Sequence, residues 1–200
     1  MKIAITGHTR GIGQACAELL GHEHDIVGYS RSTGCNISDS SFPTAYWSDI
    51  DSCDVFINNA CDQDAQLKIV RALFDRWKRQ NKIIINIGAI GEKLPEYSVS
   101  RQHAEFNEYC KNKIEFHQAV NDMQVQGYTC RVLYILVGAV RTDFLQRGID
   151  QGMFPAMPDH ALMEPKEIAE AIHMAIDNPN IVNMELFKST KIKIKNLPHL

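Results

Sequence analysis

The sequence predicts an α/β fold with a doubly wound parallel sheet of about seven strands and helices on both faces. Three observations predict it. Short apolar runs alternate with longer amphipathic stretches, the apolar runs are rich in β-branched residues, and a glycine-rich turn joins the first run to the first amphipathic stretch. Parallel strands need long crossover connections, for which helices are suited. The length of 200 residues suits one domain, residues 1–200.

Residues 54–58 and 82–87 are short, β-branched and apolar nearly throughout, as strands buried on both faces are. With them, residues 2–6, 25–30, 128–137 and 181–188 make up six strand candidates. Four segments between them carry apolar residues at three- and four-residue steps, which predicts helices. These helices are residues 11–20, 64–80, 100–124 and 165–177, the last opened by Pro165. Alternating lysines at 191, 193 and 195 indicate a solvated edge rather than a basic contact site.

Composition and charge narrow the functional classes. Basic residues number 21 and acidic residues 24, so the net charge of −3 disfavours nucleic-acid binding. The first apolar run is too short for a secretion signal, and no run of 18 apolar residues follows. The six cysteines form no Cys-x-x-Cys pair and are expected to be reduced thiols. We therefore expect a cytoplasmic protein that binds neither nucleic acid nor membranes.

The first predicted strand runs into a glycine-rich turn that opens a helix, which is the context of a dinucleotide-binding site. Gly7 permits the tight turn, Gly11 lets the backbone approach a pyrophosphate, and Gly13 allows the helix to pack closely on the strand. The positive end of the helix dipole then faces the phosphates. A turn that serves packing alone is the alternative. The turn is Thr6-Gly7-His8-Thr9-Arg10-Gly11-Ile12-Gly13.

Tyr109 and Lys113 are four residues apart on the predicted helix 100–124, so their side chains lie on one face. An ammonium beside a phenol favours the phenolate and lowers its pKa from about 10 toward neutrality. Such a phenol is suited to proton transfer with a carbonyl oxygen. We interpret Tyr109 as the candidate proton donor or acceptor and Lys113 as the residue that tunes it. Tyr97 and Arg101 form a second, less suitable pair.

Five motifs resemble those of the short-chain dehydrogenase/reductase family and occur in the family's order. They are the glycine turn, Asn36-Ile37, Asn58-Asn59-Ala60-Cys61, Tyr109 with Lys113, and Val137-Gly138-Ala139-Val140-Arg141-Thr142. The resemblance implies a Rossmann-type fold and hydride transfer between a nicotinamide cofactor and a carbonyl or alcohol substrate. It also implies that Lys113 holds the nicotinamide ribose. The cofactor-binding residues implied in this way are Gly7, His8, Thr9, Arg10, Gly11, Ile12, Gly13, Asn36, Ile37, Asn59, Ala60, Lys113, Val140 and Thr142.

The chain also departs from the family pattern. Ala89 stands at the position of the family's catalytic serine and has no hydroxyl, and the segment between Ala89 and Tyr109 is longer than in the family. Ser98 and Ser100 are candidate substitutes, although a loop serine and a helix N-cap explain them as well. The family's supporting asparagine falls near Asp62 or Gln63. A dinucleotide-binding regulatory or structural protein with a degenerate catalytic site is therefore the alternative function.

The end of the second predicted strand indicates NADP rather than NAD as the cofactor. The segment after Tyr29 has no carboxylate for a ribose diol, whereas Arg31 and Arg10 can pair with a 2′-phosphate. Two surface arginines without a ligand are the alternative. The segment after Thr142 is expected as a short loop, and its apolar residues, Phe144 and Phe154 among them, are candidates to cover a hydrophobic substrate. Simple closure of the core explains these residues equally well.

The remaining predictions concern metals and partners. We predict no metal site, because His22-x-His24 lacks a further ligand at suitable spacing and is typical of an exposed turn. Small molecules are the expected partners. A homodimer or homotetramer would follow the family's habit, with helices 64–80 and 100–124 as the interface, but a solvated amphipathic helix gives the same pattern.

Overall fold

The structure is a computed structural model that describes residues 1–93 and 104–188. Six parallel strands form one sheet in the order β2-β1-β3-β4-β5-β6. They are β1 (Lys2–Thr6), β2 (Asp25–Tyr29), β3 (Val55–Asn58), β4 (Ile83–Ile87), β5 (Arg131–Val137) and β6 (Asn183–Leu186). Each strand lies within a predicted segment. The described residues hold six of the roughly seven expected strands. The lysines at 191, 193 and 195 lie outside the described residues.

Helices cover both faces of the sheet, as predicted. The helices are α1 (Gly11–Leu20), α2 (Trp47–Asp51), α3 (Ala65–Trp77), α4 (Ala104–Gln124), α5 (Asp143–Asp150) and α6 (Pro165–Asp177). On one face α1 packs against α6, and on the other α3 packs against α4. The short helices α2 and α5 were not predicted, because five and eight residues give too few turns for a clear apolar period.

The two faces have separate apolar cores, because successive strand residues point to opposite sides of the sheet. Ile3 and Ile5 of β1 pack with α1 and α6, whereas Ala4 faces the α3 and α4 side. Trp77 is fully buried on that second side, edge-on to Phe56. Among the described residues, no helix combines the length and the apolarity needed to cross a bilayer.

In the usual doubly wound order 3-2-1-4-5-6, the third strand lies beside the second. The described sheet has no strand at that place, so β2 forms its edge, and β3 to β6 follow on the other side of β1. Residues 30–54 between β2 and β3 contain only helical turns and the short helix α2. The chain passes from β2 across β1 to β3, so the topological switch point lies at the carboxyl ends of β1 and β3, where ligands of such sheets bind.

Candidate active site

The glycine turn lies at the carboxyl end of β1. Gly7 has φ of 72°, a left-handed conformation that favours glycine, and its amide donates to the Tyr29 carbonyl over 2.7 Å. A Cβ atom on Gly7 would lie 3.0 Å from both Ala60 Cβ and Asn59 Nδ2. The turn is therefore packed directly against the chain that leaves β3.

Thr6 and Asn59 join the two strand ends. The Thr6 hydroxyl accepts from the amides of Asn59 and Ala60 at 2.9 and 3.0 Å, and Asn59 Nδ2 donates to the Thr6 carbonyl at 2.9 Å. These bonds satisfy polar groups at the point where two parallel strands end. They hold the predicted residues Asn59 and Ala60 against the glycine turn.

Gly11 and Gly13 determine how the first turn of α1 packs. A Cβ atom on Gly13 would lie 2.2 Å from the Gly7 carbonyl oxygen, so only glycine fits there. Gly11 has φ of 57°, and a Cβ atom on it would lie 3.1 Å from Thr142 Cγ2. Thr142 in turn caps α5 by accepting from the Leu145 amide. The structure thus brings Gly7, Gly11, Gly13 and Thr142 together, with backbone amides of the turn at the start of α1.

A cluster of hydroxyl groups lies where the glycine turn meets the end of β2. Thr9 Oγ1 donates to Ser30 Oγ at 3.3 Å, Ser32 Oγ donates to Thr9 Oγ1 at 3.0 Å, and Ser30 and Ser32 hydroxyls lie 2.8 Å apart. Arg31 is exposed beside this cluster, with Nη1 4.0 Å from Asp62 Oδ2. Arg10 is exposed at the start of α1. Sequence reasoning missed the hydroxyl cluster, although its members flank the predicted arginines.

The remaining predicted cofactor residues are distributed around this turn. The His8 ring covers Gly28 so closely that a Cβ there would lie 2.3 Å from it, and His8 Nδ1 is buried without a hydrogen-bond partner in the described residues. Asn36 is exposed, whereas Ile37 is buried in the core. Ile12 is half-buried in α1. Val140 is buried and pairs with Met163 in an isolated β-bridge.

Tyr109 and Lys113 lie on one face of α4, as their spacing predicts. Lys113 is only 5% exposed, and its Nζ donates to Gln66 Oε1 at 2.5 Å and to the Ile87 carbonyl at 3.2 Å. The same Nζ lies 5.7 Å from the centroid of the Tyr109 ring. Lys113 therefore contacts the face of the phenol and is fixed by oxygens from α3 and the end of β4.

Gln66 is the centre of a buried polar network that sequence reasoning missed. Its Nε2 donates to the Asn58 carbonyl at 2.9 Å and to the Ile87 carbonyl at 3.3 Å. Asn58 Nδ2 donates to the Gln66 carbonyl and to Asn86 Oδ1, and Asn86 Nδ2 donates to the Leu133 carbonyl. Gln66 lies about one helical turn after Asp62 and Gln63, near which a supporting residue was expected, and the spacing of the sequence does not point to it.

The surroundings of Tyr109 differ from the sequence prediction. Burial raises the pKa of Tyr109 well above its ordinary value of 10.0, whereas the spacing predicted a lowered pKa. Tyr109 is half-buried among aromatic side chains, which displace water from it, and the charges of neighbouring groups such as Glu92 act in the same direction. The aromatic rings around Tyr109 belong to Phe106, Phe144 and Phe154, with centroids 5.9 to 6.4 Å away.

Position 89, two residues after the end of β4, is an alanine and so has no side-chain hydroxyl. The Tyr134 hydroxyl covers neighbouring Gly88, where a Cβ would lie 2.2 Å from it, and it donates to Glu92 Oε2. The Glu92 side chain is 3% exposed, and His117 Nδ1 lies 2.7 Å from its Oε1. Ser98, Ser100, Tyr97 and Arg101 lie outside the described residues.

Neither a protein-family model nor a curated protein sequence matches the chain. Solved structures do match. A serine dehydrogenase complexed with NADP+ is 18% identical, covers 100% of both chains and has a TM-score of 0.70. The chain has the short-chain dehydrogenase fold.

Two further structures with the short-chain dehydrogenase fold carry nicotinamide cofactors. A short-chain dehydrogenase from Sphingobium yanoikuyae in complex with NADPH is 17% identical over 92% of this chain and 87% of that chain, with a TM-score of 0.70. A 3-alpha-hydroxysteroid dehydrogenase from Pseudomonas sp. B-0831 complexed with NADH is 21% identical over 93% and 95%, with a TM-score of 0.65. This chain thus shares its fold with these proteins, although the sequence identity is low.

Proposed function

We propose that this chain is an NADP-dependent short-chain dehydrogenase/reductase that transfers hydride between nicotinamide and a small carbonyl or alcohol substrate. One continuous set of hydrogen bonds carries the proposal. Asn59 Nδ2 bonds the Thr6 carbonyl, Gln66 Nε2 reaches the Asn59 carbonyl at 3.5 Å, and Lys113 Nζ bonds Gln66 Oε1. The glycine turn and the Tyr109–Lys113 pair are thereby held in one site, as a hydride transfer enzyme requires.

The residues of the turn suit a dinucleotide cofactor. Left-handed glycines and the absence of Cβ atoms leave space for backbone amides to approach a pyrophosphate, at the positive end of α1. In this proposal Arg10, Arg31 and the hydroxyls of Thr9, Ser30 and Ser32 receive a 2′-phosphate, which favours NADP over NAD. The other residues that would hold the cofactor are Gly7, His8, Gly11, Ile12, Gly13, Asn36, Ile37, Asn59, Ala60, Lys113, Val140 and Thr142.

The catalytic proton is assigned to Tyr109. A nicotinamide cofactor supplies or accepts the hydride when it is bound. The raised pKa of Tyr109 keeps the phenol protonated at neutral pH, which is the form that donates a proton to a carbonyl oxygen. Lys113 provides a fixed positive charge that stabilises negative charge developing nearby. Phe144 and Phe154 beside Tyr109 favour a substrate with an apolar body.

A regulatory dinucleotide-binding protein is the second candidate function. Ala89 supports it, because the site lacks the hydroxyl that would orient a carbonyl at this position. In either case we propose a cytoplasmic location, supported by the free state of all six cysteines in the described chain. We also propose self-association through α3 and α4, which follows the family's habit.

The decisive experiment combines cofactor titration with turnover. We expect NADPH to bind about tenfold or more tightly than NADH, measured by fluorescence titration. With an apolar carbonyl panel, Tyr109→Phe should lower turnover by about 10²- to 10⁴-fold while the Kd for NADPH stays within about twofold. Tyr128→Phe is the matched control, because that tyrosine packs on Phe74 outside the site.

Each outcome of this experiment has a definite meaning. Tight NADPH binding without turnover of any substrate supports the regulatory protein. Equal binding of NADH contradicts the assignment of the 2′-phosphate to Arg31 and Arg10. Absence of binding by either cofactor refutes the proposed function.

A further inference from the structure

A second cluster of ligand-type side chains lies at the amino ends of the strands, on the edge of the sheet opposite the glycine turn. Glu23 and His24 stand in the turn between α1 and β2, directly before the first residue of β2. His173 and Asp177 lie one helical turn apart in the last two turns of α6. The packing of α1 on α6 brings these distant parts of the chain together.

The cluster has the dimensions of a cation site. Glu23, His24 and His173 each offer one ligand atom, and these three atoms lie within 4.8 Å of one another. His173 Nε2 lies 3.9 Å from Glu23 Oε2 and 3.5 Å from Asp177 Oδ2. Ligands of a tetrahedral Zn²⁺ with bonds of about 2.0 Å are roughly 3.3 Å apart, so small side-chain rotations would suffice.

His24 provides an independent observation. Both of its ring nitrogens are buried, and neither has a hydrogen-bond partner in the part of the chain that the structure describes. Its ring meets the His173 ring edge-on, with centroids 6.3 Å apart. A buried imidazole nitrogen without a partner is unfavourable, and a cation between the two rings would satisfy it. Ion pairing of His173 with carboxylates does not explain His24.

We propose that Glu23, His24 and His173 bind a divalent cation of the Zn²⁺ type, with Asp177 or water as the fourth ligand. Imidazole nitrogen and carboxylate oxygen are the ligands that Zn²⁺ takes outside thiolate sites. The site joins the turn after α1 to the end of α6 and lies away from Tyr109. Its role is therefore structural, and it goes beyond the proposed hydride transfer. The prediction of no metal site considered only His22 and His24, because His173 is distant from them in sequence.

Zinc titration of the chelator-treated full chain tests the site. We expect one Zn²⁺ per chain by calorimetry, and a rise in Tm of about 5 to 10 °C at a hundredfold excess over Kd. His24→Gln and His173→Gln should each weaken zinc binding at least tenfold. Glu23→Gln should weaken it as well, and this variant does not endanger the fold because Glu23 is exposed. His22→Gln, an exposed neighbour, is the matched control and should bind like the parent.

Cobalt spectroscopy separates this site from the thiols of the chain. Co²⁺ held by nitrogen and oxygen ligands should show visible d–d bands without thiolate charge-transfer bands in the near ultraviolet. Charge-transfer bands would assign the metal to cysteines, Cys61 and Cys110 being half-buried, and would overturn the proposal. Unchanged zinc affinity in all three ligand variants, or no stoichiometric binding to the parent, would overturn it as well.

Discussion

Lys113 is a buried ammonium whose partners are uncharged. The described residues give it the Gln66 side-chain oxygen and the Ile87 carbonyl, while the nearby carboxylate of Glu92 is engaged by Tyr134. A buried charge needs each of its hydrogen bonds, since few other groups compensate for lost water. Gln66 is therefore a positioning residue for Lys113 and, through Asn59, for the glycine turn.

We expect Gln66→Leu to lower the free energy of unfolding by about 2 to 3 kcal/mol, because it leaves a charged donor and several backbone carbonyls without a partner. Urea unfolding measures this loss. Gln66→Glu keeps an oxygen for Lys113 and should retain part of the stability. The control is Gln126→Leu, because Gln126 is exposed just after the end of α4, and this variant should change stability little. Equal effects of Gln66→Leu and Gln126→Leu would contradict the role assigned to Gln66.

Glu92 makes stability depend on pH. Burial is the main cause that raises the pKa of Glu92 above its ordinary value of 4.5, and the Tyr134 hydroxyl and the positive groups nearby only partly oppose it. The folded protein thus holds this proton to higher pH than the unfolded chain. The corresponding stability is complete below about pH 4.5 and is lost as the pH rises through the folded pKa.

Glu92→Gln should remove this dependence. Relative to the parent, the variant should become more stable as the pH rises from 4 to 7, because glutamine does not titrate and still accepts from Tyr134. Denaturant unfolding at several pH values checks the difference. Glu108→Gln, on the exposed side of α4, serves as the control and should follow the parent. A constant difference between Glu92→Gln and the parent would show that burial does not raise this pKa.

Phe144 of the short helix α5 and Phe154, which follows this helix, form an aromatic wall beside Tyr109. The Phe154 ring packs against Gly148 of α5, where a Cβ would lie 2.1 Å from it, and touches the Phe144 and Tyr109 rings. Alanine in place of Gly148 must therefore displace Phe154. The same change favours the helix by up to about 1 kcal/mol. Gly148→Ala can therefore move the Phe154 ring with little change in the stability of the protein.

We expect Gly148→Ala to raise KM for an apolar carbonyl several-fold with a change in unfolding free energy below about 1 kcal/mol. Steady-state kinetics and thermal unfolding on the same samples measure the two quantities. Gln146→Ala, on the exposed side of α5, is the control and should leave KM unchanged. An unaltered KM in Gly148→Ala would mean that Phe154 does not line the substrate site.

Sequence patterns predict the strands and the long helices of this chain better than its short helices. The strands follow from short apolar runs, and α1, α3 and α6 follow from apolar periodicity, because each of these helices buries a full apolar stripe. Helix α5 lies in a segment expected as a loop, because eight residues give too few turns for a clear apolar period. The placement of Tyr109 and Lys113 on one face of a helix follows from their spacing. The bond from Lys113 to Gln66 depends on a contact between α4 and α3 that no local pattern encodes.

The absent strand beside β2 has a consequence for the stability of the sheet. In the described structure β2 has hydrogen bonds to β1 alone, while β1, β3 and β4 have neighbours on both sides. Local opening is easier where one side of a strand is free. Strand β2, which is nearest the proposed 2′-phosphate site, is thus less restrained than β1, β3 and β4.

Hydrogen exchange should reveal this asymmetry. We expect amides of β2 to exchange about tenfold or more faster than those of β1, and NADPH to slow exchange in the glycine turn and at the end of β2. Mass spectrometry of peptides from both strands measures the rates, with β4 as an internal reference. Exchange in β2 as slow as in β1 without cofactor would mean that another copy of the chain or a further segment covers this edge.

The close fit at Gly13 affects how fast a ligand can bind. Ordering a flexible loop during binding costs roughly 1 to 2 kcal/mol per residue in backbone entropy. Here the Gly7 carbonyl lies against α1 and Thr6 holds the end of β3, so the amides of the turn are oriented before any ligand arrives. That entropy is lost during folding and not during association. Diffusion and orientation of the incoming molecule, and not closure of this turn, then set the association rate.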